Sequence, residues 1–331
     1  MIPNFYKNKT VLVTGGSGSI GREIVKKLLE VDVDTLRIFD NNETALFDLE
    51  QELNSKRIRT FIGDVRDKDR LNRAFENVDV VFHAAALKHV PLCEYNPFDA
   101  VKTNVLGTQN VLDAALDNNV EKVIMVSTDK AVNPINVMGA TKLLSERLTI
   151  SANYYRGNKK TKFSCVRFGN VLNSRGSVIP TFKKQIQNGG PVTITDPNMT
   201  RFIMHIPDAA DLILKAGQIA QGKEIFILKM QAVNIVDLAE VMIENLAPNY
   251  GYLREEINID IIGTRIGEKM YEELMTDNET YYAVDDGELY ILNSNKQINF
   301  DNNIEYNSNS VEKLSKTQIN EIISDILTEN Y

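Results

Sequence analysis

Apolar residues gather in short runs through the first half of the chain, at Val11–Thr14, Leu36–Asp40, Thr60–Asp64, Val78–Ala84, Val123–Ser127 and Phe163–Phe168. These runs are rich in Val, Ile and Phe and show little polar alternation. That pattern predicts strands buried on both faces, as in a parallel sheet. Between the first two runs, Ile20, Ile24, Val25, Leu28 and Leu29 fall on one helical face. Alternating strand and helix predict an α/β fold with a doubly wound parallel sheet.

From Gly169 the pattern loosens. Gly176, Pro180, Gly189-Gly190-Pro191 and Asp196-Pro197 punctuate it. Glu224–Leu228 reads as a late strand and Val233–Leu246 as a helix. The expected division is a dinucleotide-binding domain over residues 1–168 and a smaller substrate region over 169–331, whose segments interleave with the sheet. Asn293–Ser310 is rich in Asn and Ser and reads as a loop or extended arm. Ser315 with Gln318 forms a capping-box pattern before a last helix, whose apolar face is Ile319, Ile322, Ile323, Ile326 and Leu327.

The composition of the 331 residues, 43% apolar and 25% charged, is that of a globular protein. A net charge of −8 argues against a nucleic-acid face. The two cysteines, Cys93 and Cys165, have no ligand spacing and fit a reducing compartment or simple burial. His83, His89 and His205 form no metal pattern. No apolar run approaches the ~18 residues of a membrane span. The chain enters a strand by Val11 without a signal-peptide core, so a cytoplasmic location is expected.

Thr14-Gly15-Gly16-Ser17-Gly18-Ser19-Ile20-Gly21 lies between a predicted strand and a predicted helix. Glycines permit the tight turn and let the backbone approach a pyrophosphate, while the helix N-terminus offers N–H groups and positive dipole. Asp40 stands 19 residues past Gly21, at the end of the next strand. A carboxylate there accepts hydrogen bonds from a ribose 2′-hydroxyl and repels a 2′-phosphate. No arginine follows in Asn41-Asn42-Glu43, so NAD is favoured over NADP. Thr14, Gly15, Gly18, Ser19, Ile20, Gly21, Asp40 and Asn41 are the candidate cofactor residues of this turn. His83 reads as a packed strand histidine.

The chemistry-bearing segments come next. They are Ser127-Thr128-Asp129-Lys130-Ala131, Asn133-Pro134-Ile135-Asn136, Met138-Gly139-Ala140-Thr141-Lys142 and Lys88-His89-Val90-Pro91. Arg167-Phe168-Gly169-Asn170-Val171, Ser174-Arg175-Gly176-Ser177-Val178, Met199-Thr200-Arg201-Phe202 and Gly263-Thr264-Arg265-Ile266-Gly267-Glu268-Lys269 accompany them. From about Asn8 to Leu292 the chain resembles the nucleotide-sugar 4,6-dehydratases acting on UDP-N-acetylglucosamine. These are extended short-chain dehydrogenases/reductases of surface-polysaccharide and glycan synthesis.

The resemblance implies oxidation at C4 of the sugar, removal of the C5 proton, loss of the C6 hydroxyl as water and return of hydride to C6. It makes Lys130 the C5 base, Asp129 the C6 acid and Thr128 the partner of the C4 oxygen. Lys130 can serve as base only with its pKa lowered, by burial or by the charges of Lys142 and the nicotinamide. Lys142, four residues after Met138 on one helical face, would hold the nicotinamide ribose. Met138 replaces the tyrosine of simple dehydrogenases and cannot exchange a proton, so a relay from Thr128 to Asp129 or water is the expected C4 route. Asp64, Val65, Ala84, Ala85, Asn104 and Ser127 are implied around the cofactor. Arg201 and Arg265 suit a diphosphate, because a guanidinium pairs phosphate oxygens bidentately. Lys88, Asn170, Ser177, Val178 and Glu268 complete the implied substrate residues.

The segment Ile194–Arg201 looks more like dehydratases that invert C5 than those that retain it. The family also implies a homo-oligomer. A nucleotide-sugar 4-epimerase or 4-keto reductase is the rival reading, although such enzymes usually keep the tyrosine and lack the Asp-Lys pair. A non-catalytic NAD-binding sensor or scaffold is the rival from another class.

Overall fold

A computed structural model describes residues 4–174, 176–265, 267–293 and 304–328, with 325–328 described for the backbone alone. Arg175, Ile266, part of the arm expected over Asn293–Ser310, and the side chains of Ile326 and Leu327 lie outside the described residues.

The first half of the chain runs β1 (Thr10–Thr14), α1 (Ser19–Leu29), β2 (Thr35–Asp40), α2 (Glu43–Leu53), β3 (Ile58–Ile62), α3 (Lys68–Phe75) and β4 (Val80–His83). It continues through α4 (Val90–Tyr95), α5 (Pro97–Ala100), α6 (Gly107–Asp117), β5 (Lys122–Val126), α7 (Val137–Tyr155) and β6 (Lys162–Arg167). The second half contains β7 (Asn170–Val171), α8 (Val178–Gln187), β8 (Val192–Ile194), β9 (Thr200–Met204), α9 (Ile206–Ile219) and β10 (Glu224–Leu228). Then come β11 (Gln231–Asn234), α10 (Ile235–Leu246), β12 (Ile259–Ile261), α11 (Asp277–Thr280), β13 (Ala283–Asp285), β14 (Leu289–Asn293) and α12 (Lys316–Thr328).

Two compact units emerge. The first takes Met1–Phe168, Ile206–Lys229 and Met275–Ile304; the second takes Gly169–His205, Met230–Leu274 and Glu305–Tyr331. The C-terminal half is thus shared between them, with β10 and β14 extending the first unit's sheet.

That sheet has nine strands in the order β13-β14-β10-β6-β5-β4-β1-β2-β3. It is parallel from β10 to β3, while β14 and β13 run antiparallel. The chain winds outward from β1 through β2 to β3, then returns to β4 on the other side of β1. The strand order therefore reverses between β1 and β4, and ligands bind outside the carboxyl ends of strands at such a point. Leu12, Phe39, Val81, Val123 and Phe163 pack one sheet face against Leu71 and Phe75 of α3 and Val111, Leu112 and Ala115 of α6. Burial of every residue from Val11 to Thr14 explains why no polar alternation marks the strand.

In the second unit α8, α10 and α12 share a core of Phe182, Ile186, Leu238, Met242, Leu246, Ile319 and Ile323. A three-stranded sheet, β11-β9-β7, and the pair β12-β8 complete it. The cap of α12 forms reciprocally, with Ser315 N–H donating to Gln318 Oε1 (2.9 Å) and Gln318 N–H to Ser315 Oγ (3.3 Å). The helix expected from Val233 begins at Ile235, because Asn234 accepts from Val236 N–H (2.8 Å) and caps it.

Candidate active site

The glycine turn is shaped by steric exclusion. Gly15 has φ of 66°, and a Cβ there would lie 2.6 Å from Ala85 N. A Cβ on Gly21 would collide with Gly15 O. Both glycines therefore keep the start of α1 against the strand end. Gly18 caps α1 without a side-chain hydrogen bond, and Ser19 and Ile20 open the helix. Gly18 carries no side chain that would occupy the helix start, which fits a pyrophosphate. Asp40 Oδ2 accepts from Ser17 N–H (3.1 Å) and Ser17 Oγ (2.7 Å), and Oδ1 accepts from Asn42 N–H (3.0 Å). The acid is held in place by the turn it serves.

Thr14 is turned to a different task. Its buried hydroxyl lies 2.7 Å from His83 Nδ1, and His83 Nε2 lies 3.0 Å from Thr108 Oγ1. Thr108 donates its proton to Asn104 O (2.5 Å), so it accepts from Nε2–H, and in a neutral ring Nδ1 is left to accept from Thr14 Oγ1. Burial, with the Lys142 charge adding, holds His83 down to about 3. Thr14 and His83 tie β1 to β4 inside the sheet.

Around this turn, Ala84 N–H donates to Thr14 O (3.1 Å) and Ala85 sits over Gly15. Asp64 is grasped by Arg66, with Nη2 at 2.6 Å and Nε at 3.0 Å, and this pairing holds its carboxyl below the usual range. Val65 is buried. Asn104 sits in a π-helical turn, Val101–Leu106, a distortion often met at functional sites. Its amide clamps Leu87, accepting from Leu87 N–H (2.8 Å) and donating to Leu87 O (3.0 Å), and it also donates to Thr141 Oγ1 (3.0 Å). Lys88 is exposed on the same loop.

Beyond β5 the segment Ser127–Ala131 makes a short 3₁₀ turn capped by Thr128. Thr128 Oγ1 donates to Asp129 Oδ1 at 2.7 Å, and Lys130 Nζ lies 2.9 Å from the same oxygen. Asp129 is fully buried, whereas Lys130 is partly open. Asp129 Oδ2 and Ser127 Oγ are buried without a hydrogen-bond partner in the chain. Such atoms cost about 1–3 kcal/mol each. Gly139 lets α7 approach this turn, since a Cβ there would collide with Lys130 O.

On α7, Met138 packs with Cys93 and Ala100 in an apolar cluster. Lys142 is buried and donates to Val126 O (2.7 Å). Burial lowers it to about 8, against the opposing charge of Glu146. Glu146 in turn binds Arg167 twice (2.9 and 2.7 Å), and Arg167 binds Glu279 twice (2.8 and 2.9 Å). The sequence named Arg167 only within a motif and gave no sign of Glu146 or Glu279.

The remaining residues belong to the second unit. Asn170 opens β7, and Ser177 caps α8 with its Oγ buried and without a hydrogen-bond partner, followed by Val178. Arg201 on β9 donates to Thr200 O (2.8 Å) and Met270 O (3.3 Å). Glu268 Oε1 lies 3.6 Å from its Nη2 and Glu272 Oε1 lies 3.5 Å from its Nε. Glu268 also accepts from Thr195 Oγ1 (3.2 Å) and Arg265 N–H (3.2 Å). Arg265 is exposed. Glu272, absent from the sequence reading, belongs to this cluster.

Among the described residues no group of His, Cys, Asp and Glu could hold a metal ion, and no helix is long and apolar enough to cross a membrane.

A family model described as polysaccharide biosynthesis protein matches residues 11–294. An uncharacterized membrane protein of Methanocaldococcus jannaschii is 63% identical over 98% of both chains. A UDP-N-acetylglucosamine 4,6-dehydratase (inverting) of Campylobacter jejuni is 42% identical, over 92% of this chain and 88% of its own. A UDP-glucose 4-epimerase of Rickettsia bellii is 44% identical, over 86% and 83%. The crystal structure of Pen from Bacillus thuringiensis superposes with a TM-score of 0.91 at 44% identity, covering 97% of this chain and 98% of its own.

Proposed function

The chain belongs to the polysaccharide biosynthesis protein family, and on that premise we propose that it is a nicotinamide-dependent 4,6-dehydratase of UDP-N-acetylglucosamine that inverts C5. The observation that carries this reading is the contact of Thr128 and Lys130 with one oxygen of buried Asp129.

The proton ledger closes on these three residues and solvent. Oxidation at C4 releases the hydroxyl proton to Thr128, which passes its own to Asp129 across 2.7 Å. Asp129 then protonates the departing C6 hydroxyl, which leaves as water. Lys130, as neutral amine, takes the C5 proton and exchanges it with solvent, and a solvent-derived proton reaches C5 from the opposite face, which inverts the centre. A nicotinamide cofactor, when bound, would supply a reversible acceptor for the hydride of C4. Lys142 would hold its ribose, and a proton on Asp129 would remove the anion that pairs with Lys130 at 2.9 Å and so favour the neutral amine. Asp40 would accept from the adenosine ribose, which favours NAD over NADP. Gly15, Gly21 and the start of α1 fit the pyrophosphate, and buried Ser127 Oγ is an orphan donor for the cofactor.

Arg201 and Arg265 would pair the substrate diphosphate, and Asn170, Ser177, Val178 and Glu268 of the same unit, with Lys88 of the first unit, are the other candidate substrate residues. The carboxylate contacts of Arg201, at 3.5–3.6 Å, are too long for good hydrogen bonds and can yield to phosphate oxygens.

The second reading, a UDP-sugar 4-epimerase, is favoured by the name of the Rickettsia relatives. Epimerisation needs no acid and base at C5 and C6, so it leaves Asp129 and Lys130 unexplained. Proton NMR with UDP-N-acetylglucosamine in deuterated water separates the readings. Dehydration gives a C6 methyl signal with deuterium at C5, and the ring couplings report inversion. A C4 epimer with no methyl signal would establish the second reading. Bound cofactor with unchanged sugar would mean another nucleotide sugar or a lost activity, and only a failed screen of other nucleotide sugars would leave a binding role.

A further inference from the structure

Residues 305–314 follow the span that the family model covers, yet they are built into the cluster around Arg201. Ser308 is fully buried. Its Oγ accepts from Glu272 N–H (2.9 Å), meets Thr200 Oγ1 (2.9 Å) and donates to Thr200 O (3.2 Å). That hydroxyl thereby uses its one donor and both acceptor positions. Thr200 O is the same carbonyl that Arg201 Nη1 binds (2.8 Å). Ser308 N–H also donates to Glu272 O (2.8 Å), so it grips Glu272 by both backbone groups while Glu272 Oε1 faces Arg201 Nε at 3.5 Å.

Flanking residues anchor the grip. Tyr306 OH accepts from Met230 N–H (2.6 Å), and its ring lies 5.1 Å from that of Phe202, the neighbour of Arg201. Asn307 bridges to Glu273 and Lys313 to Ala232, and Leu314 N–H donates to Ala232 O (2.8 Å). Ala232 is the strand partner of Phe202.

We infer that Glu305–Leu314 is an intramolecular strap that orients Arg201 for an anionic substrate group, with Ser308 as its positioning residue. The inference rests on the reading of Arg201 as a diphosphate ligand. An arginine oriented before binding loses less side-chain freedom when it meets phosphate, so its preorganisation appears as affinity.

The test is calorimetric titration of UDP into the full chain as wild type, Ser308→Ala, Arg201→Ala and the double variant, with NAD titrated in parallel. Ser308→Ala is expected to weaken UDP about tenfold, to leave NAD affinity unchanged, and to add little on the Arg201→Ala background, because both changes act through one group. Unchanged UDP affinity in Ser308→Ala, or full additivity in the double variant, overturns the strap. Unchanged UDP affinity in Arg201→Ala instead removes the diphosphate reading itself, and the strap with it. If Ser308→Ala does not fold, Tyr306→Phe loosens the same segment and should weaken UDP about threefold; no change there also overturns the inference.

Discussion

Arg167 and Asp129 are both buried charges beside the ends of adjacent strands, β6 and β5, and their surroundings are opposite. Arg167 spreads four short hydrogen bonds over Glu146 and Glu279. Asp129 satisfies one oxygen through Thr128 and Lys130 and leaves the other without a partner, and the Ser127 hydroxyl two residues earlier is equally unpartnered. A buried charge with complete partners commits its bonding to the fold, whereas an orphaned atom keeps a bond in reserve for what enters from outside. Both clusters look alike as lists of charged residues, and only the count of satisfied atoms separates them.

The contrast can be broken most directly at Asp129 and Lys130. Asp129→Asn and Lys130→Ala should each lower dehydration about a thousandfold, within the range of lost acid–base catalysis, with NAD affinity near that of the wild type. Methyl-signal NMR beside a cofactor titration measures both, and turnover within tenfold of normal in either variant would remove the assignment. Arg167→Met should show the converse. It strands two acids in the interior, so urea denaturation should report a loss of about 3–5 kcal/mol.

His83 sharpens the comparison through pH. Its folded pKa, about 3, lies below the unfolded value near 6.5, so the unfolded chain takes up the proton first. Stability should be full above about pH 6.5 and decline as pH falls towards 3. His83→Gln should flatten that decline in thermal melts, and an unaltered slope would show that other groups govern it. The smallest effect is expected at Asp40, already part-satisfied by Ser17 and Asn42. Asp40→Ala should weaken NAD about tenfold, roughly 1.4 kcal/mol, without changing UDP affinity. Equal losses for both ligands would make Asp40 a turn residue alone.

The α/β class was legible because strands buried on both faces leave long apolar runs. Glu224–Leu228 keeps its expected limits, and β3 begins two residues earlier than expected, at Ile58 rather than Thr60. Strands such as β7 and β8, two and three residues long, are too short to show a period, and the antiparallel pairing of β14 with β10 is set by tertiary contacts. The same limit applies to the site. The glycine turn and Thr128-Asp129-Lys130 are contiguous and could be read directly. Glu146 and Glu279 meet Arg167 from 21 and 112 residues away, and Ser308 meets Thr200 across 108, so no local pattern marks them.

Glu279 carries two loads at once: its carboxylate accepts from Thr276 N–H in the cap of α11 and from the Arg167 guanidinium in the core. This makes the order of synthesis matter. A ribosome that has just added Arg167 has made strands β1 to β6, but the acid that completes Arg167 is still 112 residues from being translated. At ordinary elongation rates that wait is on the order of ten seconds. Through that interval the emerging half-sheet holds a guanidinium with half of its partners missing and an open edge at β6 where β10 will pair. The N-terminal half is therefore a dependent fragment, completed from the far end of the chain.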